Sequence, residues 1–317
     1  MCKINSVKNP HKYDIGSIAD LCIDIIIQSD VKPKFGQVEQ LIEDYCIDAG
    51  GSVAIFASQY AKLGGKICLA GLLGDDAQGN IVLSRLKESQ VDVSLVKSRK
   101  DIVTAMGFNY SCKGDRALLV SLSSLESISP IIFEQALLVN TLHWHIGGFF
   151  LLKKIAGHWI PFLKELKVRG TTVSLDTNWD PDEQWGDVLT ILPFIDVFIP
   201  NDAEAMAITR KESIHDAGIL LLKYCPLIVI KCGEKGAVVF SRQSVEEFNI
   251  PEELLKNLNI KDTTGAGDNF DAGFLFMWLR NKSISESVIN GFRCAISSLG
   301  GLGGIKNQYH PQIPNYE

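Results

Sequence analysis

At 317 residues with 46% apolar and 21% charged side chains, the chain has the composition of a globular protein with ample core, in one large α/β domain or two ordinary ones. A formal charge of −6 weighs against nucleic acid or an anionic membrane as main partner, and no apolar run reaches the length of a membrane span. The N-terminus lacks the apolar core of a secretory signal. Eight scattered cysteines without a CxxC pair read as reduced thiols, so a cytoplasmic location is expected.

Ile15–Gln28 alternates and then runs apolar, which predicts a strand, interrupted by Asp20 and Asp24. A carboxylate at the end of a buried strand is either solvated in a loop or a ligand for hydroxyls. Gly50-Gly51 then opens a helix over Ser52–Leu63, closed by Gly64-Gly65. Ile67–Gly71 reads as a buried strand, and Gly74 to Gly79 as a loop and N-cap before a helix over Ile81–Lys87. Ile102–Tyr110 and Arg116–Leu122 alternate as two strands of a hairpin.

After Pro130 strands and helices alternate: strand Thr141–Ile146, helix Leu151–Val168, strands Thr172–Asp176 and Asp196–Pro200, helices Asp202–Ile208 and Asp216–Tyr224, strand Leu227–Cys232. This order predicts a mostly parallel sheet covered by helices, with ligands at the C-terminal ends of the strands. His143 and His145, two apart on a buried strand with no third ligand near in sequence, read as packing rather than metal binding. Asp176 to Asp180 (DTNWD) sits at a strand end, where polar residues often carry function.

Lys261–Ala272, KDTTGAGDNFDA, is the most informative stretch. Phe270, Phe274, Leu275 and Trp278 share one helical face beyond it, so a helix begins near Gly267–Asp268, and Asn281-Lys282 are its stop signals. Its first amides have no intrahelical partner, and with the helix dipole they form an anion site that Gly265 and Gly267 leave open. A carboxylate there repels phosphate unless it takes a proton from an attacking hydroxyl. An anion cradle plus a base are the two parts a small-molecule kinase needs. The alternative is an N-capping Asp268 after a glycine-rich turn. A Rossmann fingerprint needs glycine where Phe270 stands, and no Walker A ending occurs.

Asp262 to Asp268, DTTGAGD, resembles the C-terminal signature of the ribokinase-like sugar kinases, the PfkB carbohydrate kinase family. Further motifs follow that family's order over nearly the whole chain. The resemblance implies one three-layer α/β domain of ribokinase-like fold over residues 1–317, with a central mostly parallel sheet. It also implies a small β-sheet lid from segments near 24–46 and 101–122. ATP and Mg²⁺ are the implied cofactors, with K⁺ as a further candidate, and the implied substrate is a sugar-like alcohol. A homodimer through the lid follows by analogy.

Carried onto this chain, the resemblance implies Asp268 as catalytic base and Gly265, Ala266 and Gly267 as the anion hole. Ala19 to Asp24 is similar to a family pattern whose acid binds substrate hydroxyls, which implies Asp24 beside Gly50 and Gly51, although Gly16 would align differently. Asn201 to Glu204 resembles the Asn-x-x-Glu motif; Glu204 is then an indirect Mg²⁺ partner, the alternative being acids that favour a helix N-terminus. Asn201, Glu204, Lys231, Gly233, Gly236, Thr264, Gly265 and Gly267 are the implied ATP contacts, and Asp262 the implied monovalent-cation residue. Ile55 replaces a frequent Asn, and Asp180 replaces an Arg of some relatives. The absence of Lys near Ser52 favours an unphosphorylated substrate. A nucleoside or vitamin kinase, and a non-catalytic binding member, are the alternatives.

Overall fold

The computed structural model describes residues 11–311 except 43, 113–114, 187 and 257. The predicted strand over 15–28 is two strands in two sheets, β1 (Tyr13–Ile18) and β2 (Cys22–Gln28), with Ala19, Asp20 and Leu21 buried between them. Both halves are almost wholly buried, so apolar periodicity does not mark the break. The cause is tertiary: Asp20 accepts the backbone N–H groups of Ser52 and Val53, each at 3.0 Å, and the chain changes sheets at that point.

The remaining strands are β3 (Asp44–Gly50), β4 (Ile67–Gly74), β5 (Asp92–Arg99), β6 (Ala105–Cys112), β7 (Asp115–Ser121), β8 (Thr141–Ile146), β9 (Thr172–Leu175), β10 (Val197–Phe198), β11 (Leu227–Lys231), β12 (Ala237–Ser241) and β13 (Val245–Phe248). The large sheet has the order β13-β12-β11-β10-β9-β8-β1-β4-β5. It is parallel from β11 to β5, and β12–β13 forms an antiparallel edge hairpin. That hairpin and β5 carry no clear alternation in the sequence, and β13 (VEEF) is largely exposed. The small sheet, β3-β2-β6-β7, is the expected lid, its β3 running on into Gly50.

Alternate side chains of each strand enter opposite cores, as a sheet covered on both faces requires. Ile228 and Ile230 of β11 join one core with Trp159, Phe162 and Leu163 of the Trp159–Val168 helix. Val229 joins the other, with Phe56 of the Ser52–Lys62 helix and Phe274 of the Ala266–Trp278 helix. The structure thus has three layers.

The expected helix over 151–168 forms only from Trp159; Phe149–Leu151 and Lys153–His158 are 3₁₀ turns. Pro161 explains the late start. It has no N–H and clashes with a carbonyl four residues back, so it is tolerated in a first turn but not in a helix interior. Among the described residues no helix is long and apolar enough to cross a membrane.

Candidate active site

The Ala266–Trp278 helix begins with Gly265 as N-cap at φ 73, and no side chain caps it. A Cβ on Gly265 would lie 2.9 Å from Ile55 Cγ2 and 3.0 Å from Gly304 Cα, so its bare, left-handed backbone is required twice over. Asp262 stabilises the approach: one oxygen accepts Thr264 N–H (3.0 Å) and hydroxyl (2.8 Å), the other Gly303 N–H (2.8 Å). Ala266 N–H turns back to the Thr263 carbonyl at 3.3 Å. The open end of the helix is therefore presented by the neighbouring glycines.

Asp268 is half-buried on the first turn. Burial pushes its carboxyl well above the usual range, and Asp176 pushes the same way; Lys231 opposes, Asp20 adds to the rise, and the neighbouring Ser52 hydroxyl lowers it. A raised pKa makes a carboxylate a stronger proton acceptor when it is ionised.

Asp20 does what no local residue does for the Ser52–Lys62 helix, whose N-cap Gly51 has no side-chain bond. Its carboxylate lies where a Cβ on Gly148 would stand. Asp24 sits on the lid, filling the space over Gly50 and Gly107, with Cys22 Sγ at 3.5 Å. Gly50-Gly51 therefore runs between the two acids. Burial pushes both to about 6; the Val53 and Ser52 amides oppose this at Asp20, and Cys22 opposes it at Asp24.

Lys231 ends β11 with its ammonium 2.9 Å from Asp176 and 3.1 Å from Asp271. Burial pushes the Asp271 carboxyl well above its usual range, with Lys231 opposing and Asp176 adding to the rise, whereas at Asp176 the Lys231 ammonium outweighs burial and holds the carboxyl low. Burial opposes the charge on Lys231, yet Asp176, Asp271 and Glu204 hold it protonated. A Cβ on Gly267 would lie 3.3 Å from the ammonium, so the cation stands directly beside the glycine loop. Asn201 pairs with Lys231 across a parallel bridge and caps the Asp202–Thr209 helix in a reciprocal box with Glu204 (2.8 and 2.9 Å). Burial and then Asp176 push the Glu204 carboxyl up. Gly236 (φ 92) has the Phe248 carbonyl where a Cβ would be, whereas nothing lies within 4 Å of one on Gly233.

Both departures from the family pattern have structural partners. Ile55 packs against Gly265 and Gly304, supporting the loop. Asp180 accepts N–H groups of Asp182, Gln184 and Trp185 at 3.0, 2.8 and 2.8 Å, organising its own turn. His143 bonds Thr172 and Ser174, His145 bonds Ser174 and stacks on Phe56, and burial favours the neutral form of both. A separate cavity of about 630 Å³ between Ser29, Lys261 and Lys306 is lined by none of Asp20, Ser52 or Asp268.

Sequence reasoning missed Ser52, Asn178 and Asp271. Asp271, three residues after Asp268 between buried phenylalanines, left a signal: an acid on an apolar helix face needs a partner. Asn178 lies in the DTNWD segment that the sequence singles out, but its pairing with Ser52 left no signal, because that link spans 126 residues.

The raised acids make stability depend on pH. Asp20 and Asp24 hold protons in the fold that they release when unfolded, so their contribution is full below their ordinary pKa and is lost as pH rises through about 6. The melting temperature of the ligand-free protein is expected to fall between about pH 5 and 7, and Asp24→Asn to flatten that fall. Calorimetry across this range checks it; a rising melting temperature in both proteins overturns it.

A glycine-opened helix N-terminus with an acid on its first turn, beside a strand-end cluster and under a small sheet, is the architecture of a small-molecule kinase. Residues 14–308 match the family described as pfkB family carbohydrate kinase, and the chain belongs to that family. A 2-dehydro-3-deoxygluconokinase of Haemophilus influenzae is 34% identical over 142 residues, a match covering 42% of this chain and 44% of that one. A ribokinase of the same organism is 26% identical over 278 residues, covering 82% and 84%. An E. coli putative ribokinase II in complex with ATP and Mg²⁺ superposes with a TM-score of 0.80 at 19% identity, over 94% of this chain and 96% of that one. The protein is a carbohydrate kinase of ribokinase-like fold.

Proposed function

We propose that the protein transfers the γ-phosphoryl group of ATP to a hydroxyl of an unphosphorylated sugar or sugar-like alcohol, with Asp268 taking the hydroxyl proton. The observation that carries this reading is the place of Asp268: on the first turn of a helix whose N-terminus no side chain caps, near Ser52 and Asp20. Asp20, and Asp24 from the lid, would accept acceptor hydroxyls across Gly50-Gly51. The backbone of Gly265 and Gly267 would face the phosphoryl group, with Lys231 as the adjacent cation. Thr264, Gly233 and Gly236 belong to the loops that would flank ATP.

The carboxylate-rich donor set fits Mg²⁺, which would neutralise phosphate charge; Asn201 and Glu204 would hold it from outside its waters. Among the described residues no group of three or more acids, histidines or cysteines could hold a metal ion. Asp262 stays the candidate for a K⁺ effect, and the cysteines described, all unpaired, support a cytoplasmic location.

The test is ADP release from purified protein with Mg·ATP, with and without K⁺. The panel includes ribose, fructose, 2-dehydro-3-deoxygluconate and nucleosides. Phosphorylation of a neutral sugar supports the reading. Binding of ATP with turnover only on nucleosides shifts the acceptor class, and failure to bind ATP overturns the proposal.

The outer face of the lid supports a dimer. One cross-strand row reads Ile47–Ile25–Phe108–Leu119, and Leu119, Ile47 and neighbouring Tyr45 are 66, 44 and 60% exposed. An apolar face of this kind is self-complementary about a two-fold axis. Sedimentation is expected to show a dimer that Ile47→Asp weakens more than tenfold; a monomeric wild type refutes it.

A further inference from the structure

The loop after β9 reaches Ser52, a neighbour of the candidate base, through the side chain of Asn178. Asn178 is held at φ 58, a left-handed conformation that side-chain-bearing residues adopt rarely and that clusters at functional sites. Its Oδ1 accepts Gly148 N–H at 2.8 Å, and its Nδ2 lies 2.6 Å from Ser52 Oγ. The amide orientation is thereby determined, since a flip would set an NH₂ group against the Gly148 N–H.

We propose that Asn178 and Ser52 are positioning residues for Asp268: Asn178 donates to the Ser52 hydroxyl, which donates in turn to the Asp268 carboxylate. This rests on Asp268 being the base.

The direction of the chain follows from donor and acceptor capacity. A serine hydroxyl has one proton and two lone pairs, and an ionised carboxylate only accepts. With the Asn178 amide on a lone pair of Ser52, the hydroxyl proton is free for Asp268. Ser52 is held from the other side as well, because its own N–H is bonded to Asp20 at 3.0 Å. Gly148, Asn178, Ser52 and Asp20 thus form one connected support, drawn from the ends of β8 and β9, a helix N-terminus and the β1–β2 crossing.

Its chemical effect is to favour the ionised base. Asp20, Asp176 from the end of β9 and Asp271 on the same helix all oppose a charge on Asp268, as does burial, while Lys231 from β11 favours it. A hydroxyl donor aimed at the carboxylate works with Lys231 and also directs one lone pair, leaving the other for the acceptor hydroxyl.

The test is the titration of Asp268 in ligand-free protein labelled with ¹³C at aspartate carboxyls, the resonance assigned by its loss in Asp268→Asn. Ser52→Ala is expected to raise the midpoint by about one pH unit, and Ser52→Thr to restore it. Asn178→Gly keeps the backbone conformation and should shift the midpoint the same way. Asn178→Asp should shift it further, because its carboxylate takes the Ser52 proton for itself. On the best acceptor of the panel, Ser52→Ala and Asn178→Gly should lower kcat about 10–100-fold with KM for ATP unchanged. Folded Ser52→Ala and Asn178→Gly proteins with an unmoved midpoint overturn the inference, and so does a Ser52→Thr as shifted as Ser52→Ala. Wild-type turnover by Asp268→Asn defeats the base reading itself, whereas an inactive Asp268→Asn beside an unmoved midpoint defeats only the positioning role.

Discussion

Asp268→Asn is expected to lower turnover about 10²–10⁴-fold, the range for loss of a general base. Asparagine keeps the shape of the carboxylate and accepts a hydrogen bond from Ser52, but it takes no proton from an acceptor alcohol. The fold should survive. Burial and Asp176 already disfavour a charge at this position, so a neutral amide is expected to hold or raise the melting temperature at pH 7. Loss of kcat with unchanged ATP affinity and an undiminished melting temperature is the expected combination. Wild-type kcat on a confirmed acceptor excludes Asp268 as the base. A collapsed fold shows instead that the carboxylate is structural.

Lys231→Met should have the larger effect on stability. The ammonium is bonded to Asp176 and Asp271, and all three side chains are nearly inaccessible to water. Removing one partner of such a buried pair typically costs about 3–5 kcal/mol, because the remaining carboxylate charge stays uncompensated. Two features separate this cause from simple loss of packing. Without the cation, Asp176 is no longer held low, so the variant should regain stability as pH falls and the acids become neutral. Adding Asp271→Asn should restore part of the loss, since one carboxyl is removed. Denaturant unfolding at pH 5 and 7.5 measures both. Equal destabilisation at the two pH values, with no rescue by Asp271→Asn, refutes the electrostatic account. Activity should also fall steeply, because the ammonium lies beside Gly267 where phosphate charge would gather.

These outcomes bear on how the site could be read in advance. DTTGAGD was legible because its signal is local: glycines, an acid and the start of an apolar helical face within a dozen residues. The alternation after Pro130 gave the parallel sheet for the same reason, and the packing role of His143 and His145 followed from a buried strand. The helix over 151–168 was misjudged at its start because apolar spacing outweighed Pro161. The stretch over 15–28 predicts one strand rather than two because both of its parts are buried and a change of sheet leaves no periodic mark.

What the sequence determined by itself is the class of protein: a glycine-opened helix N-terminus, an acid on its first turn, and the order of motifs that places the chain among carbohydrate kinases. What only the tertiary structure decided is which side chains meet. Asp20 caps a helix that begins 32 residues later, Lys231 lies between Asp176 and Asp271, and Asn178 reaches Ser52. Ile55 and Asp180, which looked like departures in the pocket, face the glycine loop and a turn. The physical reason is one of range. Capping, helix periodicity and glycine backbone freedom act within a few residues and are written in local order. Hydrogen bonds and ion pairs between strand ends depend on how the sheet is assembled, and a linear order of residues does not contain that.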